Sequence, residues 1–592
     1  MNFLPRFPTV RLLTLAAGIA ILFGILAAAA QAVTYPSDSE KPELVSLLSG
    51  MNQLWQSEGT NNLHGSVKNA EVLDHNDEIA VWINNHATSA QQFKALQDAN
   101  YTTYQVGSEG LGSELGEIYL HGLQSDELPL TNELLGNIIN YLNTEEAKTH
   151  YSYPRPYLRS DTATEDTSCS TSSYNASSLR SIREGKSYAD AHGNLEIERV
   201  GDELDETGKY VTAGTAIGAG YSSFCGSGSF PSGHTTGAYL GDLTLATLVP
   251  QLAPSMLARA SEQANNRIVL GVHYPLDIIA GRMDGEVGVA TRWSDTQYRQ
   301  EVLQPAREEL VSYLEEECGG TLAECIARQT PYEDDPYDGA EIPDGGSQTV
   351  TDEASAVSVY TERLTYGFPK PGTTGLAPSV PADAANLLIT TFPTLTTAQR
   401  TEVLAQTEIE SGYPLDQSEG EGSWQRLNLA AAMSAKVELE EDGSIRVASV
   451  GGTAEVVPVE EETTGGESVA EESATGSSSS TSDTQQTSSA GTSTGKTKTK
   501  TRTSLRISDA KGGKHPKVTI RVGASGATVA GTVRIYVGSK ALKTVALRHG
   551  TVTFTLTGLS RGIHKVKAVY LGNGSFTSST SASVRVKITG SR

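Results

Sequence analysis

Between residues 458 and 503 the chain runs almost entirely in Ser, Thr, Gly, Glu and Lys, and this stretch constrains the whole fold. Its few apolar side chains cannot offset the entropy of ordering a backbone, so a flexible linker is expected there. A chain interrupted in this way must build a separate core on each side. Its charge divides at nearly the same place. Residues 33–495 carry 24 basic and 69 acidic residues, whereas residues 496–592 carry 19 basic residues and one acid, Asp509. The net charge of -25 is thus an acidic body offset by a basic tail. A chain so acidic overall is not expected to bind nucleic acid as a whole.

At the N-terminus, Arg6 and Arg11 precede an apolar run from Leu12 to Ala30 that ends in Ala30-Gln31-Ala32. A positive segment, an apolar segment and a small-x-small site predict an export signal over 1–32, cleaved after Ala32. No later segment is apolar for long enough to span a bilayer, so a soluble, secreted product is expected. In an oxidising compartment the four cysteines read as disulfides. Three connectivities are possible; Cys169–Cys225 with Cys318–Cys325 is favoured because each pair closes a local loop. Neither pair has metal-ligand spacing with nearby histidines, and neither a metal nor a cofactor is expected.

From 33 to 330 the periodicity is mainly helical. Pro129 opens a segment with apolar residues at Leu134, Leu135, Ile138, Ile139 and Leu142. Residues 235–248 and 257–270 read as further helices, and Pro275 opens another. Residues 331–345 are acidic and turn-rich and read as a loop, with Asp334, Asp335 and Asp338 solvated. The rest of a distal extension, 331–457, has no periodicity that places its elements. After 504 the period becomes two: Val533, Ile535 and Val537 alternate, as do Val552, Phe554 and Leu556, and Val584, Val586 and Ile588. Turn residues intervene at Gly558, Gly562 and Asn573-Gly574. Residues 504–592 are expected to form a β-sandwich, and they resemble the immunoglobulin-like modules appended to secreted bacterial proteins. The segment has no cysteine, hence no intersheet disulfide.

Three motifs carry chemistry. Lys148-x6-Arg155-Pro156 is followed by Pro231-Ser232-Gly233-His234, then by Asn266-Arg267-x5-His273-x3-Asp277. Each alone is weak; ten specified residues in this order are improbable by chance. Phosphoryl transfer spreads negative charge over three equatorial oxygens, so it needs positioned cations more than covalent chemistry. Lys148, Arg155 and Arg267 supply three positive groups. Ser232 and Gly233 precede a helix whose first N–H groups would face the same oxygens. Asp277 falls in the first turn after Pro275, directed back toward His273.

The motifs resemble the phosphatidic acid phosphatase type 2 superfamily, which includes soluble bacterial class A acid phosphatases and vanadium-dependent haloperoxidases. The resemblance implies an all-α helical bundle, giving a multidomain protein with an all-β immunoglobulin-like sandwich at its C-terminus. It implies that His273 is a nucleophile forming a phosphohistidine, that Asp277 orients it, and that His234 is the general acid and then base. Lys148, Arg155, Ser232, Gly233 and Arg267 would bind phosphate, with no metal. The activity implied is a secreted, metal-independent acid phosphatase acting on small soluble phosphate monoesters; the alternative is a vanadium haloperoxidase using the same cradle.

Asn266 departs from the family pattern, where Ser is usual, so an amide stands there in place of a hydroxyl. The 74-residue spacer from Pro156 to Pro231 is longer than in most members. It reads as a disulfide-closed insertion near the pocket mouth, where Tyr188, His192, Tyr210, Tyr221 or Phe224 could shape substrate choice, though packing is the commoner use. His150 is a candidate pocket residue. His64, His75, His86, His121, His515, His549 and His564 read as surface residues. Ser411–Asp416 and Trp424–Leu429 look like a distal region of secreted members, expected to pack rather than catalyse. The basic tail is either a contact for anionic cell wall or membrane surface, or a spacer.

Overall fold

A computed structural model describes residues 34–159, 177–200 and 221–459, apart from 61, 101–102, 419 and 421. It also describes two two-residue strands in 201–220, and the strands with part of their connections between 499 and 588. The export signal, Cys169 and nearly all of the linker lie outside the described residues. Two compact units divide at Gly465/Gly466.

The first unit is a helical bundle. The helices that place the site are α1 (Ala70–His86), α2 (Ser89–Asn100), α3 (Pro129–Ile138), α4 (Glu145–Tyr151) and α5 (Ser177–Arg183). They are followed by α6 (Gly233–Leu248), α7 (Ala253–Val269) and α8 (Pro275–Ser294). Every residue of α7 is buried, so it forms the axis of the bundle rather than a surface helix. Helix α3 starts at Pro129 as its sequence predicts, with Leu134, Leu135 and Ile138 in the core. Helix α8 packs closely on α6. A Cβ at Gly281 would stand 2.7 Å from the Ser232 carbonyl, and one at Gly285 would stand 2.4 Å from Tyr239 Cβ. Larger side chains there would push the helix carrying Asp277 away from the loop carrying Ser232.

The extension belongs to this same unit. Helix α9 (Glu353–Arg363) begins with an Asp352 capping box and packs on the axial helix, with Arg363 donating to Ser261 Oγ at 3.0 Å. The distal segment packs, as expected of it: Trp424, Gln425 and Leu427 present carbonyls to the buried Arg282 of α8. A three-stranded sheet of Lys436–Leu439, Ile445–Ser449 and Glu455–Pro458 completes the unit. Residues 331–345 form turns, but Asp334 is not solvated. It is half-buried beside Arg363, and burial pushes its carboxyl up to about 7. His75 is likewise no surface residue: its Nε2 lies 2.8 Å from the Tyr366 carbonyl, which ties α1 to the extension. Cys318 and Cys325 are bonded to each other. Cys225 is disulfide-bonded; its expected partner Cys169 lies outside the described residues. Among the described residues no helix is long and apolar enough to cross a membrane.

The second unit has two antiparallel sheets. Strands β1 (Thr501–Ile507), β2 (Lys517–Ala524) and β5 (Thr551–Thr555) form one, in the order β5-β2-β1. Strands β3 (Thr532–Val537), β4 (Lys540–Ala546), β6 (Gly562–Tyr570), β7 (Ser579–Thr580) and β8 (Val584–Ile588) form the other. There β4-β3-β6-β7 is the order, and β8 also pairs with β6. The period-two residues face inward: Val518, Ile520, Val533, Ile535, Val566 and Ala568 are fully buried. The cross-strand register keeps these positions on one side of each sheet.

Candidate active site

The three motifs, 129 residues apart end to end in sequence, converge at the ends of α4, α6, α7 and α8. Local sequence explains each placement. Tyr274 precedes Pro275 in an extended conformation, and Pro275 starts α8. Asp277, three residues after Tyr274, then accepts from the Tyr274 N–H at 2.9 Å. Ser232 is the N-cap of α6 and accepts from the Thr235 N–H. Gly233 is the first helical residue, and a Cβ there would meet Thr144 Oγ1 at 2.9 Å, just where α4 begins. The second and third motifs are joined directly: the Ser232 N–H donates to the Asp277 carbonyl at 3.0 Å.

His273 is the centre. Its Nδ1 lies 3.1 Å from Asp277 Oδ2 and its Nε2 lies 3.3 Å from an Arg155 nitrogen. A guanidinium has no acceptor, so Nε2 must be the lone-pair nitrogen and Nδ1 carries the hydrogen donated to Asp277. Burial, together with Arg155, Lys148 and Arg267, holds this imidazole well below its usual range and therefore neutral. Burial pushes the Asp277 carboxyl up to about 7, opposed by the Tyr274 N–H bond and by Lys148 and Arg155. The Ser229 hydroxyl donates to its other oxygen at 3.3 Å. His234, half-buried, is held well below the usual imidazole range by Arg267 first, then by burial and the other two cations.

The three cations are used differently. Lys148 Nζ donates to the carbonyls of Pro231 (2.5 Å), Ser229 (3.2 Å) and Gly228 (3.4 Å), clamping the loop into Ser232. Burial and the neighbouring Arg155 bring its ammonium down to about 7. Arg155 donates to the carbonyls of Ser227, Gly228 and Val272, fastening the second motif's loop to His273. Arg267 is buried, yet its Nε and one terminal nitrogen find no acceptor among the described residues. Desolvation and Arg155 bring it down to about 9. A buried guanidinium with unmet donors in a field of like charge is costly, and an oxyanion removes that cost.

Residues 130–301 match the model of the PAP2 superfamily, a span containing all of these residues. They are a PAP2 superfamily domain. Residues 503–589 match a bacterial Ig-like domain (group 3), the second unit described above. Similar proteins include an acid phosphatase of Zymomonas mobilis, 37% identical over 83 residues, covering 14% of this chain and 31% of that protein. Non-specific acid phosphatases of Providencia stuartii (33% over 82 residues) and Salmonella typhi (37% over 83 residues) each share 14% of this chain and 33% of their own length. The chain thus spans about a third of the length of these curated relatives.

Within the PAP2 domain, Asn266 turns away from the site. Its amide donates to Asp98 at 2.8 Å and accepts from Gln91 at 2.6 Å, fastening α7 to α2. His150 is exposed and packs edge-on against Tyr151. Of the spacer candidates, Phe224 reaches the site, its ring 4.6 Å from the Arg155 guanidinium. Tyr221 is buried and donates to the Leu270 carbonyl at 2.9 Å, Tyr188 bonds Asp74, and His192 is exposed. Tyr210 falls in a two-residue strand. Sequence reasoning missed Ser229 and Arg183. Arg183, from the insertion, makes a two-pronged bond to buried Asp77 at 2.8 Å and donates to the Tyr274 hydroxyl at 3.2 Å, behind His273. Among the described residues no three His, Cys, Asp or Glu side chains cluster as metal ligands.

Proposed function

We propose that the PAP2 domain hydrolyses small soluble phosphate monoesters as a secreted, metal-independent acid phosphatase. One observation carries this reading: Arg267 holds buried donors that have no partner among the described residues, beside a neutral His273 whose reactive nitrogen is free of hydrogen. Three cations around that nitrogen suit a dianionic phosphoryl group. His273 Nε2 attacks phosphorus, and the P–N bond forms as the ester P–O bond breaks. Asp277 balances the charge that develops on the ring through Nδ1–H. His234 gives its proton to the leaving alkoxide. The entering dianion reverses the field of Arg267 and raises His234 toward the protonated form it needs. Water then attacks phosphorus and surrenders its proton to His234, the P–N bond breaks, and inorganic phosphate leaves. The first N–H groups of α6 offer further donors to the equatorial oxygens.

The relatives' names favour this over the haloperoxidase reading. The test is hydrolysis of p-nitrophenyl phosphate with chelator, with vanadate, and by His273→Ala. Chelator-resistant turnover, vanadate inhibition and a loss of at least about 10³-fold in the variant are expected. Loss of turnover on chelation, or an active His273→Ala protein, overturns the proposal. Bromide oxidation by peroxide and vanadate without ester hydrolysis would support the alternative.

A further inference from the structure

The outward face of the three-stranded sheet in the Ig-like unit has an unusual composition for a solvated β surface. Thr503, Leu505, Val518, Ile520 and Val522 point into the core. Alternation then turns Arg502, Arg506 and Arg521 outward, and Lys500 precedes β1 on the same face, all exposed. An ordinary solvated face sets such cations opposite carboxylates. Here the register sets Arg502 opposite Gly523, Arg506 opposite Thr519, and Arg521 between Ser504 and Thr551. Residues 496–592 contain one side-chain carboxylate, Asp509, which lies outside the described residues.

The face also has room. A Cβ at Gly523 would touch nothing within 4 Å, and a shallow depression of about 670 Å³ lies over Lys500, Arg502, Arg521 and Gly523. Arg502 and Arg521 are diagonal neighbours across it, about 7–8 Å apart at the backbone. Their forks can take separate phosphate groups, with hydroxyls alternating between them.

We infer that this face binds a flexible, hydroxylated phosphodiester polymer of the poly(glycerol phosphate) kind, and so holds the enzyme on an anionic surface. The chemistry selects this partner over the other polyanions. The outward positions of β1, β2 and β5 carry no aromatic ring for bases to stack on, which single-stranded nucleic acid requires. They carry no apolar side chain to enter a bilayer. Cations interleaved with Ser and Thr match a chain that alternates charge and hydroxyl. The inference does not depend on the catalytic reading, since it concerns a separate unit.

The test uses the full chain on immobilised poly(glycerol phosphate), with duplex DNA and phosphatidylglycerol vesicles as parallel arms. Retention is expected, falling about 50-fold between 50 and 200 mM salt if roughly four phosphates are neutralised. Arg502→Gln/Arg521→Gln should weaken retention at least tenfold. Lys565→Gln/Arg585→Gln removes the same charge from the other sheet, where the two stand opposite each other, and should change it by less than twofold. Hydrolysis of p-nitrophenyl phosphate should be equal in all three proteins. As a measurement that needs no variant, soluble polymer should shield Arg502 and Arg521, but not Arg585, from phenylglyoxal. Equal losses from both double variants, absent shielding, or tighter binding to DNA or vesicles would overturn the inference.

Discussion

Helix α7 carries two buried arginines just over two turns apart, and their surroundings are opposite. Arg259 is gripped by Asp98 at 2.5 and 3.0 Å, by Glu262 at 3.1 Å and by Glu109 at 3.0 Å. Burial alone would lower it, but these three carboxylates outweigh burial and raise it well above its usual value. Among the described residues no carboxylate forms an ion pair with Arg267, and desolvation and Arg155 bring it down to about 9 against the weaker pull of Asp98. One arginine is neutralised by carboxylates inside the protein; the other pairs with none among the described residues. The paired network is also the unpaired arginine's support. Asp98 accepts from Arg259 and from Asn266, the residue next to Arg267, while Glu262 accepts from Gln91 and Lys94 of the same helix α2. The lesson is that burial of charge does not mark a functional residue. What separates the two arginines is the counter-charge: carboxylates surround Arg259, and none pairs with Arg267 among the described residues.

The sharpest way to break this contrast is to neutralise each arginine in turn. Arg267→Gln should lower kcat/KM for an aryl phosphate by about 10²–10³-fold, the scale of losing one preorganised donor to a developing oxyanion. Its melting temperature should stay level or rise, because a repelled charge is removed. Arg259→Gln should do the reverse, destabilising the fold by about 3–5 kcal/mol because Asp98 and Glu262 lose their partner. Urea unfolding and steady-state kinetics on both variants read the two axes separately. Parallel losses on both axes in both variants would erase the distinction.

A second test supplies the missing counter-charge. Inorganic phosphate at about 100 times its Kd should stabilise the first unit by about 2.7 kcal/mol, measured as an upward thermal shift. The shift should vanish in Arg267→Gln. A wild-type protein indifferent to phosphate would mean that the unpaired donors do not form an oxyanion site.

The pH dependence sharpens the same point. Burial and Arg155 hold Lys148 down to about 7 in the free enzyme, so its positive charge is present below that pH and lost above it. kcat/KM should therefore fall about tenfold per pH unit above 7, because that ratio reports free-enzyme groups. Lys148→Arg, which cannot discharge, should flatten this limb even at reduced activity. An unchanged limb in the variant would assign it to another group.

The motif helices were legible because their signals are local. Pro129 and Pro275 at first turns and the apolar spacing of Leu134, Leu135 and Ile138 each act within a few residues. The alternation of Val533 and Ile535 is equally local. Helix α9 and the helix Thr397–Thr407 had readable capping boxes at Asp352 and at Thr396 with Gln399, but weak periodicity hid them. What could not be read was pairing at a distance. Arg183 with Asp77, Asn266 with Asp98 and Arg282 with the Trp424 carbonyl join residues 106, 168 and 142 positions apart. In sequence Arg259 and Arg267 are simply two arginines of one helix.

The smallest expected effect concerns Asn266, the one motif position that differs from the family pattern. Its side chain belongs to the paired network, donating to Asp98 and accepting from Gln91, and makes no contact with His273. Asn266→Ser restores the usual residue but shortens the side chain. The hydroxyl cannot span both α2 partners, so one bond to a charged acceptor goes, costing about 1–3 kcal/mol of stability. Arg267 keeps its neighbours, so kcat/KM should change by less than about threefold, against the 10²–10³-fold of Arg267→Gln. If Asn266→Ser instead raised activity tenfold without loss of stability, the hydroxyl would belong to the site. The boundary between network and pocket would then have to move one residue along α7.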